Sequence, residues 1–338
     1  MFSRDGTRVI RLLSIAECHR PPETRLGGQK ILLPLPQLTP KMIIGALGPE
    51  GSYSEKAVQI WILRHRLDSV EIQYFADIED AFLAVIQKKS DLSIVPIENS
   101  IEGSVGVTLD LLHENGVEIV GEIVVKIEHC LLSKGVPEKI KVILSHPQGL
   151  AQCRHFLKKY FPEAELRSTG STSHAARLAG EFEEMAAIAS PEAAECYRLK
   201  VLLPNIQDRK QNYTRFIALR AAGKNTAEQV FEQVLCDTED KTNRPENSSH
   251  SAFKTSIIVY LEKDRPGALY EILGAFAKNK INLTRIESRP SKKELGDYHF
   301  YIDFEGHISD TIIKETLKDI KTKTDTLKIL GSYPAFKA

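Results

Sequence analysis

From Met42 onward the chain repeats one local pattern: a short apolar run, a polar turn carrying Gly, Ser or Pro, then residues at helical spacing. That alternation is the strongest constraint on the fold. Strands separated by helices must be joined by crossovers, and crossovers build a mostly parallel sheet with helices packed over it. Met42–Leu47 is the first apolar run, closed by Gly48-Pro49-Glu50-Gly51, after which Ser52 or Ser54 can cap a helix starting near Glu55. Glu71–Phe75 reads as a strand, and Ile78, Phe82, Val85 and Ile86 follow at helical spacing. Leu92–Ile97, Val142–Ser145, Glu165–Ser168, Ala186–Ala189 and Thr214–Leu219 continue the series. Glu122–Leu131 alternates, with Ile123, Val125, Ile127, His129 and Leu131 on one face.

Ligands of such sheets bind outside the carboxyl ends of the strands. Here those ends are Gly48–Ser54, Glu98–Ser104, Ser145–Gln148 and Ser171–Ser173, rich in hydroxyl, amide and glycine. Residues 42–221 therefore read as the site-bearing unit. A polar stretch over 222–252 reads as a mobile linker, interrupted by a short helix near Ala227–Leu235. The pattern then restarts over 253–338 in the order βαββαβ, that of a ferredoxin-like sandwich. Residues 1–41 read as a disordered N-terminal extension, with Met42 a possible alternative start.

Lys+Arg and Asp+Glu balance at 45 each, so there is no electrostatic reason to expect nucleic acid or an anionic membrane as partner. No apolar run approaches the roughly 18 residues of a membrane span. Five widely spaced cysteines argue against a disulfide framework or a zinc site and fit a cytoplasmic protein. There is no GxGxxG fingerprint, P-loop, HExxH or GxSxG elbow, and the histidines are scattered. Neither a cofactor nor a metal is expected. The chemistry is left to hydrogen bonds, helix ends and one or two charges, an inventory that suits a small dianion.

Asn212-Tyr213-Thr214-Arg215-Phe216 stands out. Thr214 offers a hydroxyl donor, Arg215 a bidentate cation for a carboxylate and Phe216 an apolar wall; equally, the stretch can be an amphipathic strand with a solvated arginine. His129 reads as a core histidine on an apolar face and Cys153 as core at helical spacing with Leu150 and Leu157. Gln148 and Gln152 share a helix face, and His146 ranks below Thr214 as a proton donor.

At these residues the sequence resembles the prephenate dehydratase family. Gly48-Pro49-Glu50-Gly51-Ser52-Tyr53-Ser54 looks like its GPxGTFS motif, with Ser for Thr and Tyr for Phe. Pro96–Gly103 resembles its PxEN(S/T)xEG loop, Ser145-His146-Pro147-Gln148 its SHPQ helix start, and Asn212–Phe216 its NxTRF signature. The resemblance implies two periplasmic-binding-protein-like α/β lobes with the site in the cleft between them. It implies Thr214 as the catalytic residue and Asn99, Ser145, Gln152 and Arg215 lining a prephenate site, with Ser52, Ser171 and Thr172 nearby. The reaction would be decarboxylating dehydration of prephenate to phenylpyruvate, in which a stronger acid acting through water is an alternative proton source.

The C-terminal region resembles an ACT domain. Gly267-Ala268-Leu269 looks like its GAL motif and Glu287-Ser288-Arg289-Pro290 like its ESRP motif. In the family these bind phenylalanine between paired domains, implying feedback regulation and a homodimer or homotetramer. Arogenate dehydratase is the neighbouring reading of the catalytic unit. A solute-binding protein and an amino-acid sensor with a degenerate catalytic lobe are rivals from other classes.

Overall fold

A computed structural model of the chain describes residues 8–10, 41–223, 253–261, 266–291 and 297–336. The expected helix at Ala227–Leu235 and nearly all of the expected linker and N-terminal extension lie outside these residues. Within the N-terminal segment, β1 (Arg8–Ile10) pairs antiparallel with residues 70–72.

The first lobe runs β2 (Met42–Leu47), α1 (Tyr53–His65), β3 (Val70–Phe75), α2 (Ile78–Ile86), β4 (Leu92–Asn99), β5 (Gly103–Ser104), α3 (Gly106–Glu114) and β6 (Val117–Lys126). The second runs β7 (Cys130–Ser133), a 3-10 turn, β8 (Val142–Ser145), α4 (Pro147–Gln152), α5 (Arg154–Tyr160), β9 (Glu165–Ser168), α6 (Thr172–Ala179), β10 (Met185–Ala189), α7 (Pro191–Tyr197) and β11 (Lys200–Leu203). The chain then returns to the first lobe as β12 (Tyr213–Ala221). Two short segments, residues 127–129 and 204–212, are the crossings between the lobes.

Each lobe has its own sheet, ordered β1-β3-β2-β4-β12-β6 in the first and β11-β7-β10-β8-β9 in the second. This is the expected two-lobed α/β class, but the sheets are less parallel than the alternation predicts. β2 is parallel to β3 and β4, whereas β12 runs antiparallel to both β4 and β6. The reason is that β12 arrives from the other lobe and not through a crossover helix. The alternating stretch Glu122–Leu131 is likewise split between two sheets. It breaks where Ile127 N–H donates to the Asn212 carbonyl at 2.8 Å and His129 N–H to the Gln207 side chain at 2.9 Å, bonds that join the two crossings.

Local chemistry sets the helix starts that face the cleft. Ser52 caps α1 by accepting from Glu55 N–H at 3.2 Å, and the buried Glu55 carboxylate accepts from Gly51 N–H, one residue before the cap, at 2.6 Å. α6 is capped by Ser171, which accepts from His174 N–H at 3.0 Å. Pro147 opens α4 at the position that needs no backbone donor.

The C-terminal unit is β13 (Phe253–Tyr260), α8 (Ala268–Lys278), β14 (Leu283–Pro290), β15 (Tyr298–Glu305), α9 (Thr311–Lys321) and β16 (Thr326–Pro334), with sheet order β14-β15-β13-β16. It is the expected βαββαβ sandwich. One face of this sheet holds the two helices over Ile257, Val259, Ile302 and Phe304, with Phe276 of α8 packed among them. The other face joins the first lobe: Ile258, Tyr301, Leu330 and Tyr333 share one core with Ile119, Ile217 and Leu219. Gly331 permits this contact, because a Cβ there would collide with the Ile119 carbonyl oxygen.

Candidate active site

β12 presents alternate residues to opposite sides of its sheet. Phe216 and Ala218 pack on the α1 side, while Ile217 and Leu219 face the C-terminal unit. Thr214 and Phe216 open into a cleft of about 240 Å³ between the lobes. The first lobe contributes Ser52 and Asn99 to its wall, the crossings His129 and Asn212, and the second lobe Gln152, Ser171 and Thr172.

The polar groups of this wall form one continuous chain of hydrogen bonds. Asn99 Oδ1 accepts from the backbone N–H groups of Ile101 and Glu102, at 2.9 and 3.0 Å. Asn99 Nδ2 donates to Thr214 Oγ1 and to Asn212 Oδ1, both at 2.9 Å. Asn212 Nδ2 donates to Gln152 Oε1 at 3.0 Å, and His129 Nε2 lies 2.8 Å from that same oxygen. Thr214 accepts from Asn99, so its own proton is available to a molecule in the cleft. Gln152 Nε2 is buried without a protein partner.

Among the described residues lining the cleft there is no lysine or arginine. The groups there that suit an anion are the first turns of α1 and α6, whose leading N–H groups have no intrahelical acceptor. Burial lowers the pKa of His129, only partly offset by its bond to Gln152, which keeps the ring neutral. Burial also raises the Tyr53 phenol well above its usual value, and its hydroxyl donates to the Glu128 carbonyl at 2.7 Å. Among the described residues no group of three or more His, Cys, Asp or Glu is arranged to hold a metal ion.

The structure thus brings Thr214, Ser52, Asn99, Gln152, Ser171, Thr172 and Phe216 to one cleft. Two expected lining residues are elsewhere. Ser145 is fully buried at the end of β8, and its hydroxyl donates to the Ile188 carbonyl at 2.8 Å beneath α4. Arg215 points away from the cleft, because the strand alternates. Its Nε donates to Glu122 at 2.7 Å, its Nη1 to Asp303 at 2.7 Å and its Nη2 to the Tyr333 hydroxyl at 3.0 Å. Burial disfavours the guanidinium charge, but Asp303, Tyr333 and Glu122 hold its pKa well above the usual value. It is neither a solvated arginine nor a grip on a ligand in this cleft.

The C-terminal candidates also lie apart from the cleft. Gly267, in the left-handed conformation at φ 87°, caps α8 ahead of buried Ala268 and half-buried Leu269. On β14, Ser288 and Pro290 are exposed, whereas Glu287 accepts from the Ser104 hydroxyl at 2.9 Å and Arg289 pairs with Asp110 at 3.4 Å.

Sequence reasoning missed three cleft groups. Asn212 sits inside a motif whose more reactive members drew attention. Tyr53 stands inside the first glycine motif. His129 looks like a core residue because its crossing segment continues the alternation of β6. Cys153 is buried as expected, its thiol pushed up to about 12 by burial.

A family model described as prephenate dehydratase matches residues 44–224, and one described as ACT domain matches residues 255–322. A prephenate dehydratase of Methanocaldococcus jannaschii is 41% identical over 293 residues, 85% of this chain and 96% of that one. The structure of a prephenate dehydratase from Arthrobacter aurescens in complex with L-Phe matches with a TM-score of 0.71 and 32% identity, over 88% of this chain and 93% of the other. A protein described as a novel type of quorum quenching acylase, GqqA, matches with a TM-score of 0.71 and 28% identity, over 87% of this chain and 98% of its own.

Proposed function

The chain belongs to the prephenate dehydratase family, and from that premise we propose how its cleft converts prephenate to phenylpyruvate. In the reaction the bond from the ring to the carboxylate carbon breaks and CO2 leaves. Its electron pair enters the ring, the bond to the ring hydroxyl breaks, and the departing oxygen leaves as water after taking up a proton. Aromatisation drives both cleavages.

The protein's task is to hold two carboxylates and to favour charge building on the departing oxygen. One observation carries the assignment of Thr214 to that oxygen: Asn99 Nδ2 occupies an acceptor site of its hydroxyl, so the Thr214 proton is directed at the ligand. A donor aimed at developing charge in a site shielded from water acts mainly on the transition state. The carboxylates are taken by the first turns of α1 and α6, with Ser52, Ser171 and Thr172 at hand and Gln152 Nε2 as a further donor. Phe216 packs against the ring.

The ACT domain makes phenylalanine the effector. We place it at Gly267–Leu269 and Glu287–Pro290, at an interface between paired ACT domains, so that a homodimer or homotetramer is the working form. The cytoplasm is the proposed location, supported by the odd number and wide spacing of the cysteines.

The test is phenylpyruvate formation from prephenate, with and without phenylalanine and with arogenate in parallel. Turnover of prephenate suppressed by phenylalanine is the expected result. Turnover of arogenate alone would change the substrate and keep the mechanism. Turnover of neither would overturn the reading.

A further inference from the structure

The direction of the hydrogen-bond chain in the cleft is set at one end by two backbone N–H groups. Because Ile101 and Glu102 both donate to Asn99, the oxygen of that carboxamide must face them and its NH2 must face Asn212 and Thr214. Asn212 then receives on Oδ1 and donates from Nδ2, and Gln152 receives on Oε1. A neutral imidazole 2.8 Å from that oxygen has to donate to it through Nε2–H. The other ring nitrogen lies 3.5 Å from Tyr53 Oη, whose proton is committed to the Glu128 carbonyl. With two donors on its oxygen, the Gln152 carboxamide is fixed in orientation, and its NH2 is buried at the cleft wall without a protein partner.

We propose that His129 is a positioning residue for the reaction: its Nε2–H holds the Gln152 carboxamide so that the NH2 group, not the oxygen, meets the anionic substrate. This rests on the reading of the cleft as the prephenate site. Asn212 alone cannot give the same lock, since a single bond leaves the long Gln152 side chain free to turn. A turned amide would present an oxygen to a carboxylate, replacing an attraction by a repulsion. Burial of the ring supports the proposal, because a neutral ring has a single N–H to place and the Gln152 oxygen selects Nε2 for it.

Steady-state kinetics with prephenate on the full chain test it. His129→Leu is expected to raise KM about tenfold with a smaller change in kcat, the signature of a lost binding contact. His129→Gln, which can offer a carboxamide N–H near the Nε2 position, is expected to recover most of the loss. The double variant His129→Leu/Gln152→Ala should be no worse than Gln152→Ala, because one residue acts through the other. Additive losses, or a Gln variant no better than Leu, would overturn the proposal. A second readout needs no substrate and no variant that folds poorly. Histidine 15N NMR of the wild-type chain, assigned by the signal lost in His129→Gln, should show a neutral ring protonated on Nε2. A proton on Nδ1 would overturn the proposed orientation even with normal turnover. Absence of prephenate turnover in the wild type with the expected tautomer would instead sink the substrate reading and leave the amide lock standing.

Discussion

Thr214 and Arg215 are sequence neighbours on one strand, and the two sides of that strand carry polar clusters of opposite kind. On the cleft side, Asn99, Asn212, Gln152, His129 and Thr214 form a chain without a fixed charge, and it ends in donors left open. On the far side, Arg215, Glu122, Asp303 and Lys254 are charged and mutually compensated, with Lys254 Nζ 2.8 Å from both Glu122 oxygens. The first cluster is unfinished until a ligand arrives. The second is finished within the protein and ties the first lobe to the ACT domain. Here the Gln152 carboxamide, with an unused donor, lines the cleft, and the Arg215 cluster, whose partners are all protein, forms the joint.

Breaking the joint should cost the most. Arg215→Met leaves Glu122 and Asp303 buried with fewer partners, and denaturant unfolding should report a loss of about 3–5 kcal/mol. Retained stability with a raised KM would return Arg215 to the cleft and dissolve the comparison. On the other side, Thr214→Ala should lower kcat about 100- to 1,000-fold, as loss of one oriented donor does elsewhere, with near-native melting behaviour. Unchanged turnover would remove Thr214 from the chemistry.

Acid should separate the two sides further. Burial raises the pKa of Asp303, but Arg215 above all, with Arg285 and Ser256, brings it below the usual carboxylate value. The unfolded chain takes up that proton near pH 3.9, the folded chain only at lower pH. The stabilisation is therefore present above about pH 3.9 and lost as pH falls through the folded value. The stability gap between wild type and Asp303→Asn, followed by chemical denaturation, should narrow over that range and stay constant above it.

The smallest effect concerns communication. Arg285 of β14 donates to Ser104 at 2.7 Å and lies 3.8 Å from Glu98, the residue before Asn99. Arg285→Ala should leave turnover within about threefold while raising the phenylalanine concentration for half-inhibition about fivefold or more, the lower end of typical coupling energies. Inhibition curves that superimpose would show that this contact carries no signal.

Much of this was legible in the residues. Strand–helix alternation gave the α/β class and the restart at Phe253 gave the βαββαβ unit, because those patterns are local, whereas the division into two lobes came from the family resemblance. The antiparallel insertion of β12 was not legible, since nothing in Tyr213–Ala221 states which strands will flank it. Arg215 was misread for the same reason: which side of a strand is cleft and which is joint depends on Asp303 and Tyr333, far along the chain. Ser145 lies in a motif that marks the helix start it supports from beneath. His129 was hidden because a crossing segment between two sheets carries the same alternation as a strand.

The position of β12 also bears on how the protein is made. It fills the lane between β4 and β6, yet a ribosome delivers it only after the whole second lobe. A nascent chain that has reached Lys126 has its first sheet open at the centre, with two strand edges that pair with nothing native. One late addition then supplies Thr214 to the cleft, Phe216 to the α1 core and Arg215 to the surface that will receive the ACT domain. Chemistry and interdomain attachment are thus switched on together by the same nine residues, and a product that stops short of them has neither.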